Sequence, residues 1–119
     1  MRILVVEDED AIAEPLAEGL RREGFEVERV ATGADALAAD EPDLVLLDLR
    51  LPDMNGTEVA RHLRRGRITG QIPIVALSAS TYAWSGDRLV EEGFDGYLQK
   101  PINVRAFPEQ VRSYCKRNE

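Results

Sequence analysis

Asp48 closes the run Leu44-Val45-Leu46-Leu47, which is too continuously apolar for a strand with one wet face. Two other runs end in the same manner: Ile3-Leu4-Val5-Val6 on Glu7-Asp8, and Ile72-Pro73-Ile74-Val75-Ala76-Leu77 on Ser78. Unbroken apolar runs belong to strands buried on both faces, as in parallel sheets covered by helices. In open parallel sheets the chemistry collects at the carboxyl ends of the strands. Glu7, Asp8, Asp48 and Ser78 are therefore expected at one sheet edge. Three carboxylates in one place repel one another unless a cation joins them, so the arrangement asks for a hard metal ion. Magnesium takes oxygen ligands, keeps several waters and uses one or two protein carboxylates, which Asp8 and Asp48 can supply. Aspartate is also a nucleophile towards phosphoryl groups. Lys100 ends the expected fifth strand, Phe94 to Gln99, and brings an ammonium to the same edge, where it would favour an ionised carboxylate and neutralise phosphate oxygens. The Ser78 hydroxyl can donate to a phosphoryl group once it arrives.

The elements that must position these residues alternate from end to end. Ile12, Leu16 and Leu20 repeat at helical spacing, and Gly24 is a C-terminal stop. Phe25 to Ala31 alternates apolar and polar, the pattern of a strand at the sheet edge. Gly33 to Asp40 reads as a short helix broken by Glu41-Pro42-Asp43, and Arg50 to Gly56 is a turn-rich loop. Thr57 to Arg65 is helical with Val59 and Leu63 inward, Asp87 to Glu92 is another short helix stopped at Gly93, and Phe94 to Gln99 is the fifth strand. Val104, Phe107, Val111 and Tyr114 form a last helical stripe. Five strand-then-helix repeats predict a doubly wound α/β sandwich with right-handed crossovers. Pro15 and Pro108 each remove an amide donor from a helical pattern, which loosens a helix start and does not break the helix if they fall in or just beyond the first turn.

The bulk numbers agree. The chain has 119 residues, 44% hydrophobic and 31% charged, the composition of one ordinary folded domain, expected to span residues 1–119. No apolar stretch approaches the length of a membrane span. Met1 leads within two residues into the first strand, so no signal peptide is expected. One cysteine excludes an internal disulfide and fits a reducing cytoplasm; Cys115 is expected as a small half-buried apolar residue. A net charge of −7 argues against direct nucleic-acid binding. The cluster Arg61, Arg64, Arg65 and Arg67 reads as a solvated helix end, where cations are favoured by the helix dipole. His62 reads as exposed, and Trp84 as loop packing or part of a partner surface.

Taken in order, Val5-Val6-Glu7-Asp8, Pro42-Asp43-Leu44-Val45-Leu46-Leu47-Asp48, Leu51-Pro52-Asp53-Met54-Asn55-Gly56, Ser78-Ala79 and Gly93-Phe94-Asp95-Gly96-Tyr97-Leu98-Gln99-Lys100-Pro101 are five motifs on expected strand ends and loops. In that sequence the chain resembles the receiver domain of bacterial two-component response regulators over nearly its whole length. The segment from Ala83 to Ile102 looks closer to single-domain and hybrid-kinase receivers. The resemblance implies a flavodoxin-like, five-stranded parallel sheet in the order 2-1-3-4-5 with five helices. It implies Asp48 as phosphoacceptor, Glu7 and Asp8 as the acidic pair holding Mg2+ (Asp8 directly, Glu7 through water), and the Arg50 carbonyl as a backbone metal ligand. It further implies Lys100 as the phosphate-binding lysine, with a cis bond to Pro101, and Ser78 and Tyr97 as hydroxyl and aromatic partner of an activation switch.

The chain departs from the common pattern where Ser78 replaces a threonine, losing the methyl that restricts the rotamer, and where Glu7 replaces aspartate. Arg50 and Ser80 occupy positions that, in the family the chain resembles, influence how fast the phosphoryl group is lost. The function so implied is a cytoplasmic phosphorelay switch, an assistant to its own phosphotransfer but not an enzyme in the ordinary sense. It would be phosphorylated by a sensor histidine kinase or histidine phosphotransfer protein, and would signal to a protein partner through the face of the fourth helix, fifth strand and fifth helix. An aspartate-nucleophile phosphatase would need an acid two residues after Asp48, where Arg50 cannot give and recover a proton. A receiver-like interaction module without phosphorylation is the other alternative, against which the intact acidic pair and Lys100 weigh. A flavin-binding relative would need a phosphate cradle where Glu7-Asp8-Glu9-Asp10 repels phosphate.

Overall fold

The computed structural model describes residues 1–39, 42–66, 72–78, 91, 93–99 and 107–116, with the backbone alone at 78, 99, 107 and 114–116. Five strands, β1 (Arg2–Val6), β2 (Glu26–Val30), β3 (Leu44–Asp48), β4 (Ile74–Ser78) and β5 (Gly96–Gln99), form one parallel sheet in the order β2-β1-β3-β4-β5. The described helices are α1 (Asp10–Arg22), α2 (Gly33–Ala38), α3 (Gly56–Arg65) and α4 (Phe107–Lys116). Here α4 is the last helix of the chain, the fifth of the sequence reading. Of the helix expected from Asp87 to Glu92, only Glu91 is described; Arg67, Ser80, Trp84, Lys100, Pro101 and Val104 lie outside the described residues, as do the side chains of Ser78, Tyr114 and Cys115.

The unbroken apolar runs are buried on both faces, as their composition demands. Ile3, Val5, Leu44, Leu46, Val75, Leu77 and Leu98 pack with Leu16 and Leu20 of α1 and Val111 of α4. Leu4, Val6, Val45, Leu47, Ile74 and Ala76 pack on the opposite face with Ala36 of α2 and Val59, Ala60 and Leu63 of α3. Alternate residues of one strand thus feed two cores, each fully buried Leu or Ile contributing about 1.5–3 kcal/mol of gross hydrophobic stabilisation. The alternating segment is β2, an edge strand with Glu26 exposed and the rest half-buried.

The punctuation is local chemistry. After α1 the Gly24 amide donates to the Arg21 carbonyl (3.0 Å) and the Phe25 amide to the Leu20 carbonyl (3.2 Å), with Gly24 at φ 95°. This is a Schellman stop, in which glycine takes the left-handed conformation without a Cβ penalty. Pro108 is the second residue of α4, as expected, but Pro15 lies in the second turn of α1 and deletes one interior backbone bond. Arg64 corrects the solvated reading of the arginine cluster. Its guanidinium donates to the carbonyls of Gly93 (2.9 Å) and Ile72 (2.6 Å) and to the Asp95 carboxylate (2.6 Å). Asp95 in turn accepts from the Ile74 amide at 2.8 Å. The end of α3 is thereby tied to the starts of β4 and β5, at the edge of the sheet opposite the acidic residues.

Candidate functional site

The register brings the carboxyl ends level. Val6 pairs with Leu47, Asp48 with Leu77 and Ser78 with Gln99. Glu7 and Asp8 therefore leave β1 beside Asp48, and Ser78 stands one residue beyond it on β4. One carboxylate oxygen each from Glu7, Asp8 and Asp48 lies within 4.8 Å of the others. Glu7 is fully buried and Asp48 nearly so, at 0% and 5% exposed, while Asp8 is exposed. Among the described residues this is the one group of three acidic, histidine or cysteine side chains close enough to share a metal ion.

The donor set fits a hard cation. It is all oxygen, and it joins two buried carboxylates to an exposed one that faces water, the mixture of protein and solvent ligands magnesium uses. Like charges at this separation repel strongly wherever water is excluded. A divalent ion would offset both the repulsion and the cost of burying Glu7 and Asp48. The residues present thus fit the metal that the sequence called for, with Glu7, Asp8 and Asp48 as the groups that would hold it.

Each carboxylate is placed by the backbone around it. Asp48 Oδ1 accepts the Arg50 amide at 3.1 Å. Arg50 and Asn55 form an antiparallel bridge, and the Gly56 amide donates to the Leu49 carbonyl at 2.9 Å, so the loop from Arg50 to Asn55 folds back on the end of β3. A Cβ on Gly56 would meet the Asp48 carbonyl and the Leu49 Cα. Glycine is required there by close approach, which lets α3 start directly against the strand that carries Asp48. The same loop is pinned from outside: Asp53 accepts the amides of Gly33 (2.8 Å) and Ala34 (2.9 Å) at the start of α2. These two bonds, Gly33 first, hold the Asp53 carboxyl below the usual carboxylate range.

Glu7 is gripped from β2. Its amide donates to the Val30 carbonyl at 3.0 Å, and its carbonyl accepts Arg29 Nε (3.0 Å) and Nη2 (2.8 Å). Arg29 Nη1 reaches the Asp10 carboxylate at 2.6 Å. Sequence reading passed over Arg29. The only signal for it was a lone cation at the end of the wet edge strand, level with the acidic run Glu7 to Asp10.

The remaining expected site residues divide. The backbone of Ser78 is at the expected edge. Tyr97 lies on β5 opposite Ala76 and is 45% exposed. The Arg50 amide meets Asp48 Oδ1 and its side chain is exposed. Lys100 and its bond to Pro101 fall outside the described residues.

Comparison with known proteins gives a consistent answer. The family described as response regulator receiver domain matches residues 3–112. The DNA-binding response regulator MtrA of Mycolicibacterium smegmatis is 43% identical over 99% of this chain and 52% of its own. The sensory transduction protein RegX3 of the same organism is 39% identical over 97% of this chain and 50% of its own. The chain thus spans about half the length of these relatives. Among solved structures, a putative response regulator from Chloroflexus aurantiacus aligns with a TM-score of 0.88 at 30% identity, covering 97% of both chains. The receiver domain of the sensor histidine kinase PA1611 from Pseudomonas aeruginosa PAO1 aligns with a TM-score of 0.87 at 27% identity, again over 97% of both. That structure holds a magnesium ion coordinated in its active site cleft.

Proposed function

This chain belongs to the family of response regulator receiver domains, and from that premise we propose that it is a signalling switch phosphorylated on Asp48. The observation that carries the reading is the convergence of Glu7, Asp8 and Asp48 within 4.8 Å at the carboxyl edge of the sheet. Receiver domains work with histidine kinases, and the donor proposed here is the phosphohistidine of a sensor kinase or of a phosphotransfer protein. An Asp48 carboxylate oxygen attacks phosphorus, the P–N bond breaks, and its electron pair returns to the imidazole nitrogen. The Arg50 amide on Oδ1 fixes the rotation of the Asp48 carboxylate, so the nucleophile is oriented before the donor arrives. Glu7, Asp8 and Asp48, with the Arg50 carbonyl, are assigned to hold Mg2+. When bound, that ion neutralises phosphoryl oxygens during transfer. Lys100, next in the chain after Gln99, is assigned to the phosphoryl oxygens, and Ser78 to a hydrogen bond that forms with the phosphoryl group.

Residues 1–119 act as one receiver domain in this reading, in the cytoplasm, with the output passed to a protein partner. Among the described residues no helix is long and apolar enough to cross a membrane. Intact-mass spectrometry with acetyl phosphate tests the assignment. One phosphate adduct should form with magnesium present, vanish with chelator, and be missing from Asp48→Asn. An adduct that persists in Asp48→Asn, or forms fully in chelator, would sink it.

A further inference from the structure

Glu7 and Asp8 are consecutive, so the orientation of the single peptide unit between them sets where one carboxylate lies relative to the other. That unit is held by a side chain from a different strand. Arg29, at the end of β2, donates two convergent bonds to the one Glu7 carbonyl oxygen, Nε at 3.0 Å and Nη2 at 2.8 Å. Its third nitrogen, Nη1, is anchored on Asp10 at 2.6 Å and lies 3.8 Å from Glu14, both in the first turns of α1. The Arg29 side chain is 19% exposed, and the neighbouring Val30 carbonyl accepts the Glu7 amide. Both backbone groups of Glu7 are therefore fixed from β2, and the guanidinium spans from that carbonyl to the start of the next helix.

We infer that Arg29 is a positioning residue for the metal site: its planar fork locks the Glu7–Asp8 peptide unit so that the two carboxylates meet Asp48 in a geometry ready for a divalent cation. The inference rests on the reading of Glu7 and Asp8 as the metal-holding pair. Arg29 touches neither the metal nor the phosphoryl group. It acts through the carbonyl it grips, as outer-shell groups act on the ligands they orient. Only a guanidinium can do this. Lysine keeps the charge but offers one compact ammonium in place of a rigid fork.

A purely electrostatic role predicts the opposite sign. Arg29 is a cation beside a cation site, so its charge alone opposes magnesium binding, and removing the charge should tighten binding. The experiment titrates magnesium chloride into the protein calorimetrically, for the parent chain, Arg29→Lys, Arg29→Gln and Asp8→Asn. Urea unfolding in chelator and the amide chemical shift of Asp8 in metal-free protein are followed alongside. Both Arg29 variants are expected to bind magnesium more weakly, by roughly ten-fold, the lower end for lost outer-shell partners. The Asp8 amide, which shares the gripped peptide unit, should shift in both before any metal is added. Unchanged binding in Arg29→Lys, or tighter binding in Arg29→Gln, overturns the inference. So does a loss of urea stability with neither the magnesium affinity nor the Asp8 amide altered, which is the signature of a merely structural arginine. Asp8→Asn separates this from the parent reading. If it abolishes binding while Arg29→Lys leaves binding intact, only the inference falls; if it binds magnesium undiminished, the metal-holding pair is wrong and the inference falls with it.

Discussion

At the scale of single residues, the site depends as much on a missing side chain as on its charges. Gly56 opens α3 against the end of β3, and a Cβ there would press on the Asp48 carbonyl and the Leu49 Cα. Both obstacles are backbone, which cannot swing aside as the end of a flexible side chain can. Gly56→Ala should therefore destabilise the fold by about 1–3 kcal/mol, the usual cost of overpacking. It should also disturb the Arg50 amide that orients Asp48. Urea denaturation gives the first effect and the rate of acetyl-phosphate labelling the second; parental values in both would mean that the helix start yields without strain. The acidic residues themselves were legible in sequence, because buried parallel strands that each end on a carboxylate must bring those charges to one sheet edge. The fork of Arg29 on the Glu7 carbonyl was not, because a hydrogen bond to backbone leaves no mark on the identity of the residue that accepts it.

At the scale of elements, the loop after β3 is fastened to α2 by the Asp53 carboxylate. Accepting the Gly33 and Ala34 amides lowers its pKa from the ordinary 3.8. A carboxyl whose folded pKa is depressed contributes stability that is present above the unfolded value and is lost as pH falls through the folded one. The gap in urea midpoint between the parent chain and Asp53→Asn should accordingly be constant from about pH 5 to 7 and shrink below about pH 4. Two curves running parallel to the lowest pH reached would show that Asp53 carries no such linkage. Strand existence was readable here because β1, β3 and β4 lie in apolar runs bounded by turn residues. Even the edge position of β2 followed from its alternation. Boundaries were less so: β4 starts at Ile74 and β5 at Gly96, two residues later than the expected starts at Ile72 and Phe94, which are buried before pairing begins. Arg64 was misread for a related reason. A cation in the last turn of a helix looks the same in sequence whether it meets water or the Ile72 and Gly93 carbonyls, and only the packing of α3 beside the starts of β4 and β5 decides between them.

At the scale of the whole molecule, the question is how a charge placed on Asp48 reaches a surface that another protein can read. Ser78 and Tyr97 lie on neighbouring strands, Ser78 pairing with Gln99 and Tyr97 with Ala76, and Tyr97 is 45% exposed. A phosphoryl group on Asp48 would accept a hydrogen bond from the Ser78 hydroxyl and draw it inward. The space vacated could admit the Tyr97 ring, exchanging an exposed rotamer for a buried one. The ring would gain apolar contact, while its hydroxyl would need a new partner or a water. These terms oppose one another, which leaves a net preference of about a few kcal/mol or less, the range in which a ligand can shift populations. The face of β5 and the last helix would then differ between the two states, as the proposed output requires. Ser78→Ala separates acceptance from transmission: it should still take phosphate on Asp48 but fail to move Tyr97. Amide shifts of the parent chain and Ser78→Ala, each with and without beryllofluoride as a phosphoryl mimic, are the measurement. In the parent chain the mimic should shift resonances around both Asp48 and Tyr97; in Ser78→Ala it should shift only those around Asp48. Equal shifts around Tyr97 in the two proteins would mean that the ring is not coupled to the site through Ser78, and that the signal leaves the molecule by another face.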